Sequence, residues 1–554
     1  MTWRLPKTIF AAAERFPADQ QGLDMVSGNS QQTLIRAPRA LGLAIALFGL
    51  ALTPARAFAA LTADEVLVVY NSAAAGSDEI LHAYISAHPD LPPENILDLN
   101  NPLLTGADLT WTQFSTMVRS PIRDYLDAPG DPTPQGIVSI LLLRPFPHRI
   151  LDTDNGAVCD NVNAIGSELI NGDATCASVD AELVLLWQNL ETGEAGGAAD
   201  SLLDNMIVNP FHTSGQPIDT FSRSRIRQQH TFINLANVAW GTDTAPSRLT
   251  PGDMYLVCRI DGNSTDDAIA LIRRSQHLLA NKALATILLD EFNVAAVTDE
   301  LDDDGLFSSG DPFVAGDDYE ETTSLLQIFG WNVIYDDTAD FITGTELMTP
   351  LLGYASYGEN HSFAGGGENP PGNGTYIEDF TFDPGAVFNT IESFNGRALN
   401  GLGTLFNQEQ VADFIGAGGA FAIGNVWEPF SFAVADNEFL LPRLLSSSPT
   451  ARFTWAEAAW AAIPQLSWSQ IVIGDPLGRF DVVDDPAIPA GDLDGDGDID
   501  DADVGLFALL LVDGYDAYRL QFPALDPYAR ADFTMDYQFD SADLEGFIDA
   551  YLNP

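Results

Sequence analysis

Most of this chain predicts an α/β fold, a three-layer sandwich around a mainly parallel sheet, with a small all-α module at its C-terminal end. Three observations lead there. Short, wholly apolar runs such as Val66-Leu-Val-Val-Tyr70 recur along residues 64–480, and strands covered on both faces read this way. Longer amphipathic stretches separate them, as crossover helices do. Beyond residue 490 the pattern changes to acidic loops, each followed by one apolar helical stripe.

Val66–Tyr70 is the first strand. Asn71–Gly76 is a turn, and Ser77 is placed to cap a helix running to about His88. Asn95–Leu99 is the next strand, then a helix over Trp111–Leu126 and a strand over Ile137–Leu143. Met254–Arg259, Thr286–Leu289, Trp331–Tyr335 and Ala420–Ile423 continue the series. Ligands of such sheets sit at strand C-termini, which draws attention to His148, Glu428 and Asp475 just past strands. The last two are candidates for an acid/base or metal pair.

With 554 residues and 46% hydrophobic content the chain has room for real cores. It carries 79 acidic against 24 basic residues, a net charge of -55. Lys7 and Lys282 are its two lysines. Such a surface repels nucleic acid and anionic membranes and suits high salt or abundant divalent cations. Arg36 and Arg39 precede the apolar run Leu41–Leu52 and the small-x-small sequence Ala57-Phe-Ala59. This is the pattern of a secretion signal, too short for a membrane span. The expected organisation is therefore an N-terminal extension and signal over 1–59, with Met25 as an alternative start. An α/β body over 60–480, a Pro/Asp-rich linker over 481–490 and a module over 491–554 complete it. Export would permit Cys159 and Cys176, which flank a polar loop, to pair. Cys258 reads as a buried strand residue.

In the loop Asp492–Asp503, Asp492, Asp494 and Asp496 fall at positions 1, 3 and 5 of the EF-hand template. Gly497 supplies the turn, Asp498 a backbone carbonyl, Asp500 position 9 and Asp503 the closing carboxylate. A degraded copy holds Asp532, Thr534, Asp536, Asp540 and Asp543 at the same offsets, with Tyr537 where the turn glycine belongs. There the backbone is expected to be strained or rearranged. Val504, Phe507, Ala508 and Leu511 match Leu544, Phe547, Ile548 and Tyr551, each set one helical face. These paired units resemble a type I dockerin module. The resemblance implies Ca2+ as cofactor, tighter in the first loop, and a cohesin-like or cell-surface protein partner. Positions 10 and 11, often hydroxyl residues in that family, are Asp501-Ala502 and Ser541-Ala542 here.

The body resembles a family of secreted bacterial proteins with no assigned reaction. The resemblance rests on the order of Val66–Asn71, Leu143–Arg149, Val179–Leu183, Asn209–Phe211, Tyr255–Gly262 and Ile473–Leu477. Residues 351–430 are distantly similar to caspase- and gingipain-like peptidases. His361 stands near the family's His element, Ser393 near its Cys element, and Gly418–Gly424 resembles the strand that follows. No cysteine lies beyond Cys258, so a thiolate nucleophile is lacking. His361 and Ser393 are left as catalytic candidates.

The expected function is that of a secreted calcium-binding protein whose dockerin-like module attaches the α/β body to an extracellular partner or surface. The alternative is an extracellular hydrolase, peptidase-like or polysaccharide-associated, with the body as catalytic domain. A third reading is a binding protein that uses the strand-end crevice.

Overall fold

The computed structural model describes residues 60–128, 136–151, 177–187, 207–209, 211–212, 254–291, 319–338, 340–347, 349–359, 376–399, 411–427, 429, 433–449 and 451–553. The signal-like segment, Cys159, Cys176, Glu428 and His361 lie outside these residues.

The strands are β1 (Val66–Tyr70), β2 (Ile96–Asp98), β3 (Asp108–Thr110), β4 (Ser139–Leu143), β5 (Arg149–Leu151), β6 (Ile207–Val208), β7 (Leu256–Ile260) and β8 (Leu279–Asn281). After them come β9 (Thr286–Asp290), β10 (Asn332–Asp336), β11 (Leu351–Ser356), β12 (Phe382–Thr390), β13 (Phe421–Asn425), β14 (Gln465–Leu466), β15 (Gln470–Ile473) and β16 (Asp481–Val483). Ten of them form one sheet in the order β10-β9-β11-β12-β13-β15-β7-β4-β1-β2. The fold is therefore α/β with a large, mostly parallel sheet, as the alternation of apolar runs and helical periods predicts.

Strand order reverses at β1 in one half of the sheet and at β9 in the other. Strand β15 links the halves. It runs antiparallel to β13, with Ala422↔Ile473 and Asn425↔Gln470, and meets β7 at Ile473↔Arg259. Every residue of β4, β7, β9, β11 and β13 is buried, so both faces of these strands are covered. That is why their sequences read as near-continuous apolar runs, with few polar interruptions, rather than alternating ones.

Local signals place the helices. Ser264 caps Thr265–Arg274 by accepting from the Asp267 amide, and Ser178 caps Val179–Val184 through the Ala181 amide. The first helix starts differently from expectation. It runs Ser77–Ala87 with Gly76 as its N-cap, at a φ of 84°. The Ser77 hydroxyl accepts instead from the Asn71 amide at 3.2 Å, closing the turn after β1. A side chain at Gly76 would also run into Thr265, so this turn requires glycine. The helix expected over 111–126 is Trp111–Phe114 continued through a π-turn into Ser120–Asp127.

The segment 481–490 is bound to the body rather than extended through solvent. Strand β16 pairs in parallel with β8, Asp481↔Leu279 to Val483↔Asn281. Beyond it the helices are Asp501–Gln521, kinked at Gly514, then Pro527–Ala531 and Leu544–Leu552. They share a hydrophobic cluster of Leu493, Phe507, Leu510, Tyr518, Ala531 and Phe547, separate from that of the sheet. No helix among the described residues is long and apolar enough to cross a membrane.

Candidate metal centre and strand-end crevice

Buried carboxylates organise both acidic loops. Asp492 accepts from the amides of Gly495 at 2.7 Å, Asp496 at 3.2 Å and Gly497 at 3.0 Å. Asp503 accepts from Leu493 at 2.6 Å and Asp494 at 3.2 Å on one oxygen, and from Asp500 at 2.8 Å on the other. The loop closes into a ring with its first and twelfth carboxylates inside. Ligand oxygens of Asp492, Asp494 and Asp496 lie within 4.8 Å of one another. Hard oxygen donors at this separation suit a divalent cation that takes carboxylates. Burial raises the pKa of Asp494, with the charges of Asp496, Asp503 and Asp492 adding to it against the Asp496 amide bond. That of Asp498 rises first from Asp496 and then from burial and the remaining neighbours. A cation would relieve this crowding. Asp500 accepts from the Ala502 amide, so its carboxylate also caps the helix that follows.

The second loop repeats the geometry despite its altered residues. Asp532 accepts from Asp536 at 3.2 Å and Tyr537 at 2.7 Å, and Asp543 from Thr534 at 3.0 Å and Asp540 at 3.1 Å. Met535 and Tyr537 take φ of 58° and 60°, where the first loop has Gly495 and Gly497 at 75° and 100°. The backbone at Tyr537 is thus strained rather than rearranged. Thr534 turns its hydroxyl to Asp543 at 3.0 Å. Asp543 is held inside the loop, and Asp540 accepts from the Ala542 amide in the turn before the last helix. Two side chains in left-handed backbone and one neutral donor make this a poorer site than the first.

The matched helix faces meet at Phe507 and Phe547, whose rings stack 4.2 Å apart. Above that contact the faces diverge. Val504, Ala508, Leu511, Leu544, Ile548 and Tyr551 complete the lining of an apolar groove of about 210 Å³.

Three of the six body segments singled out in the sequence, Leu143–Arg149, Val179–Leu183 and Tyr255–Gly262, meet in one buried polar cluster. Arg259 donates to Asp180 through Nε at 3.0 Å and Nη2 at 2.5 Å, and to Asp261 through Nη1 at 3.1 Å. Arg144 reaches Asp261 at 3.3 Å. His148 is fully buried, its Nε2 on the Arg397 carbonyl at 2.8 Å, and burial followed by Arg259's charge keeps the ring neutral. With two arginines and two aspartates paired inside the protein, this cluster fixes strand-end loops. Glu182 nearby has its pKa raised to about 7 by burial, against the Ser467 hydroxyl bond and Arg119.

The peptidase-like candidates fare differently. Ser393 lies half-buried in a turn after β12, while His361 lies outside the described residues. Register pairs Ser356 of β11 with Thr390 of β12, so the segments after these strands are neighbours. Glu392 joins them: it accepts from the Glu359 amide at 3.1 Å, Tyr376 at 2.9 Å and Thr390 at 2.7 Å. A Cβ on Gly358 would collide with that carboxylate. Asp475 cannot act beside residues that follow β13, because antiparallel pairing puts the end of β15 where β13 begins. Asp475 instead binds His88 at 2.6 Å and Tyr84 at 3.3 Å, so His88 is not the free surface residue its helix-end position suggests. Glu392, Arg397 and Arg530 carried no spacing signal, since the partners that place them, such as Glu359, His148 and Asp485, are remote in sequence.

No family model matches this chain, and no curated protein does. Among solved structures, one described as "Structure of Protease" is similar over 75% of this chain and 78% of its own, at 10% identity and a TM-score of 0.33. A likeness of that degree carries no argument about fold or reaction.

Proposed function

We propose that this chain is a secreted calcium-binding protein whose C-terminal loop pair, dockerin-like in plan, attaches the α/β body to an extracellular protein or surface. The observation that carries the reading is the triple of Asp492, Asp494 and Asp496 within 4.8 Å, inside a loop whose amides are already turned onto Asp492 and Asp503. Oxygen-only donors and a loop of this length favour Ca2+ over Zn2+ or Cu2+. The metal would be held by Asp492, Asp494, Asp496, the Asp498 carbonyl, Asp500 and Asp503. Asp532, Thr534, Asp536 and Asp543 would form a weaker second site. The apolar groove between the two helices is the surface left for a partner. Calorimetric titration of the full chain with Ca2+ and Mg2+ tests this. One tight Ca2+ site, lost in Asp492→Ala, is expected; no heat and no thermal stabilisation would sink the reading.

A second reading, an extracellular hydrolase acting on a peptide or glycan, is favoured by one observation. The segments after β11 and β12, where His361 and Ser393 fall in the sequence, are neighbours in register. Turnover of peptide or polysaccharide substrates that disappears in both Ser393→Ala and His361→Ala would establish it.

A further inference from the structure

Three strand-following segments bring two arginines onto one indole. Arg149 comes after β4, Arg397 after β12 and Trp427 after β13, and the guanidinium carbons lie 5.5 and 5.2 Å from the Trp427 ring centroid. Arg397 also lies 5.4 Å from the Phe394 ring. Its backbone is fixed by His148 on the carbonyl at 2.8 Å and by its own amide on Phe394 at 2.9 Å. Arg149 donates to Asp108 at 2.6 Å. No carboxylate of the described residues pairs with Arg397, whose buried Nε has no hydrogen-bond partner. Burial and then the charge of Arg149 depress the Arg397 pKa, and the Asp108 carboxylate offsets them only in part.

We propose that Arg397 and Arg149, braced on Trp427, form a binding site for the carboxylate of an anionic ligand. Asp108 already supplies one carboxylate to Arg149. A second, from a ligand, makes charge-assisted hydrogen bonds to Arg397 and leaves two cations facing two anions. A phosphate dianion would leave excess negative charge beside Asp108. The ligand class is therefore a monoanionic carboxylate, from a uronic acid sugar or from an acidic peptide. This assignment is independent of the metal site.

The test is calorimetric titration of the full chain in metal-free buffer with trigalacturonate, with N-acetyl-Glu-Glu, and with inorganic phosphate. Saturable binding of one of the two carboxylate probes is expected, and which one binds identifies the source. Arg397→Ala should weaken it by about tenfold or more, while urea unfolding shows the variant folded. Should that variant fail to fold, Arg397→Lys, which keeps the charge but loses the fork, should weaken binding by a smaller factor. Absence of binding by both carboxylates, phosphate binding tighter than either, or unchanged affinity in the variants would overturn the assignment.

Discussion

Arg530 grips Asp485 with both arms of its guanidinium, Nε to Oδ2 and Nη2 to Oδ1, each at 2.7 Å. Asp485 belongs to the segment leaving the body, and Arg530 stands two residues before the second acidic loop. The same arginine donates to the Asp492 carbonyl and lies 3.5 Å from the Asp492 carboxylate. Asn281 of β8 completes the joint by donating to the Asp485 carbonyl and the Asp526 carboxylate, both at 2.8 Å. One cation thus ties the body, the connecting segment and the first acidic loop together.

Removing that cation should be costly. Arg530 and Asp485 are 4% and 3% exposed, and breaking a buried pair from one side typically costs about 3–5 kcal/mol. Arg530→Ala leaves Asp485, Asp526 and Asp492 facing one another. Loss of that size in urea unfolding, with new proteolytic cutting around residues 484–491, is the expected outcome; a change below about 1 kcal/mol would mean the pair is not holding the joint.

Glycine should have opposite effects when gained and lost in the two loops. Met535 is 81% exposed at a φ of 58°, so Met535→Gly should stabilise the protein by about 1 kcal/mol through relief of left-handed strain. Gly497, at a φ of 100° with no atom near its missing Cβ, should lose about 1 kcal/mol or more as Gly497→Ala, from backbone alone. Thermal melts of the two single variants compare the signs directly.

The His88–Asp475 pair sets a pH dependence. Burial opposes charge on the ring, but the Asp475 charge and hydrogen bond outweigh it, so the His88 pKa is raised above its ordinary 6.5. A histidine raised in the folded state contributes its full stability below about pH 6.5 and loses it as pH rises through the folded value. Unfolding free energy should therefore decline with pH above that point, and His88→Gln should flatten the decline. An unchanged slope would show that the pair is not coupled to folding.

The stacked rings of Phe507 and Phe547 hold the small helical cluster. Both are 3% exposed, and truncation of a buried phenylalanine costs about 3–5 kcal/mol. Phe507→Ala should loosen residues 491–553 while leaving the sheet intact. Hydrogen exchange would register this as lost protection confined to the two loop-helix units.

Much of the body was readable because its signals are local. Runs such as Ser139–Leu143 and Leu256–Ile260 are apolar at all but one position each, as a strand covered on both faces requires. Ser264 and Ser178 announce helix starts by their own hydroxyls. The first acidic loop was equally plain, since template spacing places Asp492, Asp494 and Asp496 within reach of one ion whatever surrounds them. Ser77 misled because the turn after β1 needed its hydroxyl and a neighbouring glycine took over the cap.

Tertiary structure decided the rest. Strand order joined the segments after β11 and β12, and antiparallel β15 sent Asp475 away from those that follow β13. The pairs Arg530–Asp485, Arg259–Asp180 and His88–Asp475 span 45, 79 and 387 residues of chain, and no period or motif encodes such distances. By itself the sequence determined the α/β class and the cluster of acidic side chains in the first loop, because hydrophobic periodicity and loop chemistry act within a few residues. Which charges face each other, and whether the acidic loops hang free or are latched to the body, was settled only when the folded chain chose partners for its few arginines.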